Sequence, residues 1–575
     1  MNIPRRSLLA AGPLALAGCG GDRDPYFGNT ALPTGQRLVF ETAAEPGSLD
    51  PAKGVNGPGE QYLIPALFEG LTTYHPITAE PMAALATHCE LSPSGNRHTF
   101  FLRGHPSPRG TRLPDGDDLP VEFTRGRPAA PSARPALWSD GRPITSHDFV
   151  YSWRRVVDPA TAAPYSHLLY DVKNGREIAG GKVAPDRLGV RAMDDFTLEV
   201  ELASSSPYFL QLTSASFLAA VPMQAIEAAG ASWTHPRHIV TSGPFMLADW
   251  RIRDVVRVIR NPRYYDAAYV ALDEIQFIPF SDLNTLLHYY RAGEAQSTAT
   301  VYSPLMTGLQ AKRDCRTHPM FGLQFCTFNV VKPPFDNPLV RYAFNMALDK
   351  GMMARWKGLG QVPARTLVPP LKAYTAPRSV PVTVNGRSYD VLAFDSAGAR
   401  ELLRVAGFDS AQGVEFLAPT ISDALMQAEI LRSEWTRHLG VKVQVVSKEF
   451  SVWIDAIAGG AFNGIADGWD YGQYTDPNWF LSRYLPRAAG TAHWADSKYS
   501  AMLANANATT DPVERMSRLA ECERYLLAAM PMIPLWYDAW SYFQKPYVRG
   551  CGGNAVDSRP FKYAWIDTNW KRRPS

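Results

Sequence analysis

The chain has 575 residues, with 58 Lys and Arg against 55 Asp and Glu and a formal net charge of +3. This length exceeds one ordinary hydrophobic core and predicts two or three domains. The near balance of charges gives no field that would attract a nucleic acid, so we expect no nucleic-acid partner. Aromatic residues make up 11% of the chain, and such rings often line sites that clamp a ligand.

Residues 1–19 have the pattern of a bacterial lipoprotein signal peptide. Arg5 and Arg6 precede an apolar stretch that ends in Leu16-Ala17-Gly18-Cys19. This stretch is too short to span a bilayer, and small residues before a cysteine are typical of a lipoprotein cleavage site. We expect Cys19 to be acylated and to anchor a periplasmic or cell-surface protein to the membrane. The paired arginines also fit a twin-arginine signal, so the general and the twin-arginine export routes both stay open.

The rest of the chain predicts a mixed α/β protein. Residues 20–36 are polar and rich in Gly and Pro, which is typical of a flexible tether. Alternating patterns at 198–202 and 441–445 predict strands, whereas 338–350 and 423–439 have helical patterns. The five remaining cysteines are scattered without a CxxC pair, so no metal cluster is implied, and at least one thiol must stay unpaired within a monomer.

One segment, residues 104–136, differs in composition from the rest. It holds seven Pro, five Arg and four acidic residues and hardly any aliphatic ones. Such a stretch has little with which to build a core, so we expect a peripheral loop or disordered insertion.

Several short motifs carry a family resemblance. Trp138-Ser139-Asp140-Gly141 predicts a turn, Thr145 or Ser146 can cap the helix that follows, and Thr241-Ser242-Gly243-Pro244 predicts a bend that leads into a strand. Together with the other motifs, in this order, the chain resembles the family 5 extracellular solute-binding proteins, the oligopeptide-binding proteins especially. The other motifs are Ser48-Leu49-Asp50-Pro51, Leu67-Phe68-Glu69-Gly70-Leu71, Thr99 to Arg103, Ile144 to Trp153, Asn261 to Tyr265, Pro333 to Asp336 with Val340-Arg341, and Tyr474-Thr475-Asp476-Pro477.

The resemblance implies an α/β fold: a two-lobed periplasmic binding protein, type II and cluster C-like, with an additional inserted domain. Hinge strands would join two lobes that close around the ligand. The expected parts are lobe I at 37–68, 225–322 and 541–575, the inserted domain at 69–224, and lobe II at 323–540. The expected ligand is a short peptide, held as an added strand by main-chain hydrogen bonds.

The resemblance also suggests binding residues. Tyr165 matches a tyrosine that bonds the peptide backbone, Trp469 matches a tryptophan beside the peptide's amino end, and Phe325 stands where relatives have a tyrosine. The aspartate that anchors the ligand's amino group is replaced here by Gly472 or Gln473. Asp470 could substitute for it, although neighbouring side chains on a strand face opposite ways.

Charges that some oligopeptide-binding members use for the ligand's carboxylate are missing as well. The corresponding positions read Ala424, Ile457 and Ala466. Recognition of free peptide termini is therefore in doubt, which keeps open a second hypothesis. In that hypothesis the same fold binds another solute, such as a modified peptide, a metal chelate, an opine or haem.

A secreted hydrolase is the distant alternative. The sequence contains no GxSxG, HExxH, GxxxxGK[ST] or GxGxxG motif. We therefore expect no catalytic residues, no metal and no cofactor. The expected partners are a short peptide, the permease and ATPase subunits of an ABC importer, and the membrane through the lipid on Cys19. We expect a monomer.

Overall fold

The computed structural model describes residues 24–54, 57, 59–115, 118–120, 134–280, 282–299, 306–486 and 493–572. The predicted signal peptide and Cys19 lie outside the described residues, as do residues 121–133 of the Pro/Arg-rich segment.

The strands are numbered in chain order. They are β1 (Arg37–Thr42), β2 (Thr72–Tyr74), β3 (Pro81–Ala83), β4 (Ala86–Leu91), β5 (Arg97–Leu102), β6 (Thr111–Arg112), β7 (Val190–Asp194), β8 (Thr197–Glu201), β9 (Phe245–Arg251), β10 (Val255–Arg260), β11 (Glu274–Pro279), β12 (Ser297–Thr298), β13 (Cys315–Phe328), β14 (Val362–Pro363), β15 (Pro381–Val384), β16 (Arg387–Asp390), β17 (Val414–Pro419), β18 (Val443–Lys448), β19 (Gly464–Tyr471), β20 (Met532–Phe543), β21 (Val548–Arg549) and β22 (Trp565–Ile566).

The α-helices fall into longer and shorter ones. The longer ones are Glu60–Leu67, Ser146–Val157, Leu283–Ala292, Pro338–Met346, Lys350–Lys357, Ser396–Val405, Ser422–Leu439, Phe450–Ala458, Ser497–Ala508 and Pro512–Ala529. The shorter ones are Gly175–Ala179, Phe209–Leu212, Met223–Ala229, Met306–Leu309 and Asn478–Leu481. The strands predicted at 198–202 and 441–445 and the helix at 423–439 are confirmed within a few residues, whereas the helix predicted at 338–350 ends at Met346.

Three larger sheets organise the molecule. Sheet A has the order β12-β1-β11-β10-β9 and belongs to lobe I; sheet B has the order β6-β4-β5-β8-β7 and belongs to the inserted domain. Sheet C has the order β14-β20-β13-β19-β17-β18 and belongs to lobe II. One buried apolar cluster includes residues of both sheet A and sheet B, and lobe II has cores of its own. The exact domain ranges expected from the sequence stay a prediction.

Two long neighbouring strands, β13 and β20, connect lobe I with lobe II. They pair antiparallel from Cys315↔Phe543 onward, and the pairing register shifts between Pro319 and Leu323 and again between Gln324 and Phe325. At the lobe I end, the backbone N–H of Phe543 donates to Oγ1 of Thr298 on β12 at 3.0 Å. At the other end both strands lie inside sheet C, so this strand pair spans the two lobes.

The turn and cap predicted at the start of the family signature are confirmed. The N–H of Gly141 donates to the Trp138 carbonyl at 2.8 Å, and Gly141 has a φ of +100°, which side chains disfavour. Thr145 then precedes the helix Ser146–Val157, and its backbone N–H donates to Oδ2 of Asp148 at 2.8 Å. Trp138 is buried behind this turn, so the motif builds the core of the inserted domain.

The bend at Gly243 is also confirmed as architecture. The N–H of Gly243 donates to the Leu67 carbonyl at 2.8 Å, and a Cβ on Gly243 would lie 2.7 Å from the Leu67 carbonyl carbon. Only glycine permits this approach, and strand β9 begins two residues later.

The expectation of a peripheral loop at 104–136 is wrong for part of that segment. Strand β6 pairs with β4, and the N–H of Leu113 donates to the Thr87 carbonyl at 2.9 Å. Leu113 and Leu119 are buried, so the few aliphatic residues that composition discounted are the ones that pack. Sheet pairing supplied the hydrogen bonds that the segment could not make within itself.

We therefore predict that Leu113→Ala destabilises the protein. Deleting a buried leucine side chain should lower the free energy of unfolding by about 2 to 3 kcal/mol, measured by urea unfolding. Arg109→Ala, at an exposed position in the same segment, is the control and should leave the unfolding curve unchanged. Equal unfolding curves for both variants would show that the segment does not pack.

Candidate ligand-binding site

A cavity of about 240 Å³ lies in lobe II, beside the second half of β13. Its walls come from β13, β19, the helix Phe450–Ala458 and the chain around residues 480–484. The lining is mostly apolar and includes Leu323, Phe325, Thr327, Leu367, Trp453, Ile454, Ile457, Ala458, Trp469, Phe480 and Tyr484, with Asp467, Gly468, Asp470 and Arg483.

A close contact between two strands shapes one wall. Phe325 on β13 is opposite Gly468 on β19. A Cβ on Gly468 would lie 2.8 Å from Cε2 of Phe325, so the ring covers the space that a side chain would need. Gly468 therefore keeps the Phe325 ring against the sheet and leaves the cavity open beside it.

Stacked aromatic rings form another part of the wall. The ring centroids of Trp453 and Trp469 are 5.0 Å apart, with an angle of 14° between their planes. Phe450 stacks on Trp469 as well, with centroids 6.1 Å apart. Stacking of aromatic rings is energetically favourable and gives a flat, rigid apolar surface.

An ion pair stands at the edge of the cavity. Nε of Arg483 donates to Oδ2 of Asp470 and its Nη2 donates to Oδ1, both at 2.8 Å, and Nε1 of Trp479 donates to Oδ1 at 3.1 Å. The carboxylate is buried, and its charge raises the pKa of Arg483. Asp470 therefore has three protein donors, whereas Nη1 of Arg483 has no acceptor among the described residues.

A second carboxylate, that of Asp467, lies deeper in lobe II. Its Oδ1 accepts hydrogen bonds from Nε2 of Gln324 at 3.0 Å and Nε2 of Gln427 at 2.7 Å. Burial raises the pKa of Asp467 to about 7, because the loss of water outweighs the hydrogen bonds to the carboxylate and the charge of Lys357.

A larger cavity of about 800 Å³ lies between the inserted domain and lobe II. The inserted domain contributes His167, Asp171, Arg176 and Tyr208, and lobe II contributes Tyr474, Asn478, Trp479, Asn507 and other residues. Arg483 lines both cavities, so the ion pair stands where they adjoin. The larger cavity is more polar than the smaller one, as its Ser, Asn and charged residues indicate.

The structure brings together three of the five residues singled out from the sequence. Phe325, Trp469 and Asp470 line the apolar cavity. Asp470 follows Trp469 directly on β19, and both residues line the cavity, with Trp469 stacked on Trp453.

The other two residues lie elsewhere. The Tyr165 ring stacks on Phe217 with centroids 4.2 Å apart, two residues before His167 of the larger cavity. Gln473 lines a small cavity of about 90 Å³ and accepts a hydrogen bond at its carbonyl from the Tyr74 hydroxyl at 2.7 Å. Ligand contacts at all five residues stay predictions.

The positions where relatives' carboxylate-binding charges are missing are apolar and buried. Ile457 and Ala466 pack in one apolar cluster with Trp453, and Trp469 packs against it. Ala424 is buried near the start of the helix Ser422–Leu439. Lobe II is therefore apolar at the three positions where some relatives have a charged side chain.

Sequence reasoning missed Trp453, Phe480 and Arg483. Trp479 and Arg483 are four residues apart and follow Asp476-Pro477, so they fall on one side of a short helical turn. That spacing was the available signal, but it does not identify Asp470 as their shared acceptor.

Among the described residues, no group of three or more His, Cys, Asp or Glu is placed to hold a metal ion. In the same part of the chain, the helices lack the length and apolar character needed to cross a membrane.

A double-mutant cycle tests the ion pair. Arg483→Gln leaves the buried Asp470 carboxylate with one donor, so it should lower the free energy of unfolding by about 1 to 2 kcal/mol, less than for a fully buried pair. The double variant with Asp470→Asn should be more stable than the sum of the singles predicts, by about 1 kcal/mol in urea unfolding. The exposed pair Arg404 and Glu401 is the control and should show little coupling. Additive effects at Asp470 and Arg483 would contradict the pairing.

Comparisons with known proteins agree with this architecture. The family model described as "Bacterial extracellular solute-binding proteins, family 5 Middle" matches residues 134–491. The periplasmic oligopeptide-binding protein OppA of Salmonella typhimurium is 30% identical over 567 residues, 96% of each chain. The probable deoxycholate-binding periplasmic protein YgiS of Escherichia coli is 30% identical over 554 residues, 95% of this chain and 94% of the other.

Solved structures give the same result. The OppA of Haemophilus influenzae in complex with RPPGFSPFR has a TM-score of 0.72 and 27% identity, covering 94% of this chain and 100% of the other. Mixed α/β content, two lobes spanned by β13 and β20, and the match over more than half the chain lead to one conclusion. The chain belongs to the family 5 bacterial extracellular solute-binding proteins.

Proposed function

We propose that this protein binds short peptides in the cleft between its two lobes and delivers them, chemically unchanged, to the permease of an ABC importer. The observation that carries the proposal is the aromatic-walled cavity beside the strands that connect the lobes, with a larger polar cavity adjoining it. A peptide needs both kinds of space, because its main chain is polar and its side chains are partly apolar. The relatives named as oligopeptide-binding proteins support the peptide as ligand.

Aromatic and main-chain contacts carry recognition in this proposal, with charge pairing to the peptide termini contributing less. Phe325 and Trp469 would contact the ligand in the apolar cavity, and Tyr165 and Gln473 would do so elsewhere in the cleft. Asp470 would act mainly through Arg483, which already occupies both of its oxygens.

A second candidate is a non-peptide amphipathic solute. The apolar cavity favours it, because Trp453, Trp469 and Phe325 line its walls and the Asp470 carboxylate is already bonded to Arg483. One relative is named as a probable deoxycholate-binding protein, which makes deoxycholate a suitable competing ligand in the tests.

Calorimetry with short peptides tests the proposal. Peptides of two to seven residues should bind, and blocking their termini should weaken affinity by less than about tenfold, or 1.4 kcal/mol, because Asp470, the candidate partner of the amino terminus, is already paired with Arg483. Native mass spectrometry of the protein purified without denaturation should show a retained peptide mass. Binding of deoxycholate without any peptide would support the second candidate. Loss of binding on blocking the amino terminus would contradict the minor role of charge.

We also propose that the mature protein is a monomer held at the membrane by a lipid on Cys19. Replacing the acceptor cysteine should release it, because acyl chains supply the anchor at about 0.8 kcal/mol per buried methylene. Cell fractionation of Cys19→Ala should find the protein in the soluble fraction, whereas Cys89→Ala, which leaves the lipobox intact, should stay with membranes. A Cys19→Ala protein that remains bound after a salt wash would contradict the anchor.

A further inference from the structure

The apolar cavity continues onto exposed surface at its opening. Ile454 lines the cavity although it is 44% exposed, and Phe450, which stacks on Trp469, is 41% exposed. Both residues lie on the helix Phe450–Ala458. Large apolar side chains grouped at the opening of an apolar cavity are typical of a surface that a ligand covers.

Two charged groups at the cavity wall are paired with each other, because Asp470 is bonded to Arg483 through both oxygens. Oδ1 of Asp467 accepts from two glutamine amides, while its Oδ2 is buried without a hydrogen-bond partner among the described residues. The rest of the wall is mostly apolar, so a ligand charge would lose most of its water on entry, which is unfavourable. An apolar ligand group loses little on entry and gains contact with the stacked rings.

Size limits what can enter. A cavity of about 240 Å³ has room for one large side chain, whereas the main chain of a peptide needs the adjoining cavity of about 800 Å³. Arg483 borders both cavities, so a peptide that fills the two must pass beside it.

We propose that this protein is selective for peptides with a large apolar or aromatic side chain, which enters the cavity between Phe325, Trp453 and Trp469. The peptide main chain passes Arg483 into the larger cavity. This inference rests on the proposed function and narrows its ligand class.

The first test is a positional series of tetrapeptides measured by calorimetry. Tetra-alanine is compared with the four peptides that carry one Phe and the four that carry one Lys. At one position Phe should raise affinity by at least about tenfold, as burial of an aromatic side chain in an apolar site allows. Lys at that same position should give no gain.

A pair of variants on one helix then locates the effect. Ile454→Trp places a large ring at the cavity opening and should remove the gain from Phe, while thermal unfolding shows that the variant is folded. Val452→Trp is the matched control, because Val452 is 50% exposed on the same helix and does not line the cavity. It should keep the gain from Phe.

Three outcomes would overturn the inference alone. Equal binding of all peptides, a preference for Lys, or an undiminished gain from Phe in Ile454→Trp would each do so and leave the proposed function standing. Failure of every peptide to bind, while thermal unfolding shows a folded protein, would overturn both.

Discussion

The antiparallel pair of β13 and β20 is the constraint on which the rest of the molecule depends. The pairing continues past the outer end, where the carbonyl of Asp314, just before β13, accepts from the N–H of Gln544, just after β20, at 2.9 Å. Gln544 also forms an isolated β-bridge with Ser297 of β12, which ties this end of the pair to lobe I. Its inner end lies within sheet C, and both shifts in register fall between the two ends. Because hinge motions concentrate in a few element positions, the orientation of the lobes depends on this short stretch.

The site begins within the stretch where the register shifts, since the second shift falls between Gln324 and Phe325. Leu323, Phe325 and Thr327 alternate along β13 and supply one wall of the apolar cavity. The remaining walls come from elements that sheet C holds in place, including the helix Phe450–Ala458 and the turn that carries Arg483. A movement of the strand pair therefore carries this wall with lobe II as one packed unit, while the larger cavity also depends on the inserted domain.

Sequence patterns predicted the fold better than the site. Turns and caps such as Trp138 to Thr145 are local, so their residues already specify their geometry. The pairing of Asp470 with Arg483 is not local, because it needs both the strand β19 and the turn after Asp476 to be placed. The composition of residues 104–136 also gave no sign that Leu113 is buried. It packs because β6, the strand just before it, pairs with the edge of β4. Short-range signals identify elements, whereas pairing across a fold depends on what the other elements leave unpaired.

The distribution of charge in the cleft follows from burial. A lone carboxylate at Asp470 would be costly once it is 8% exposed, and Arg483 offsets that cost with two hydrogen bonds. The same pairing uses up the charge that could have held a ligand's amino group. Ile457 and Ala466 pack with Trp453, so the side chains beside the rings are apolar where some relatives have a charge. With Asp470 paired to Arg483, this end of the cleft distinguishes ligands mainly by apolar shape and by hydrogen bonding.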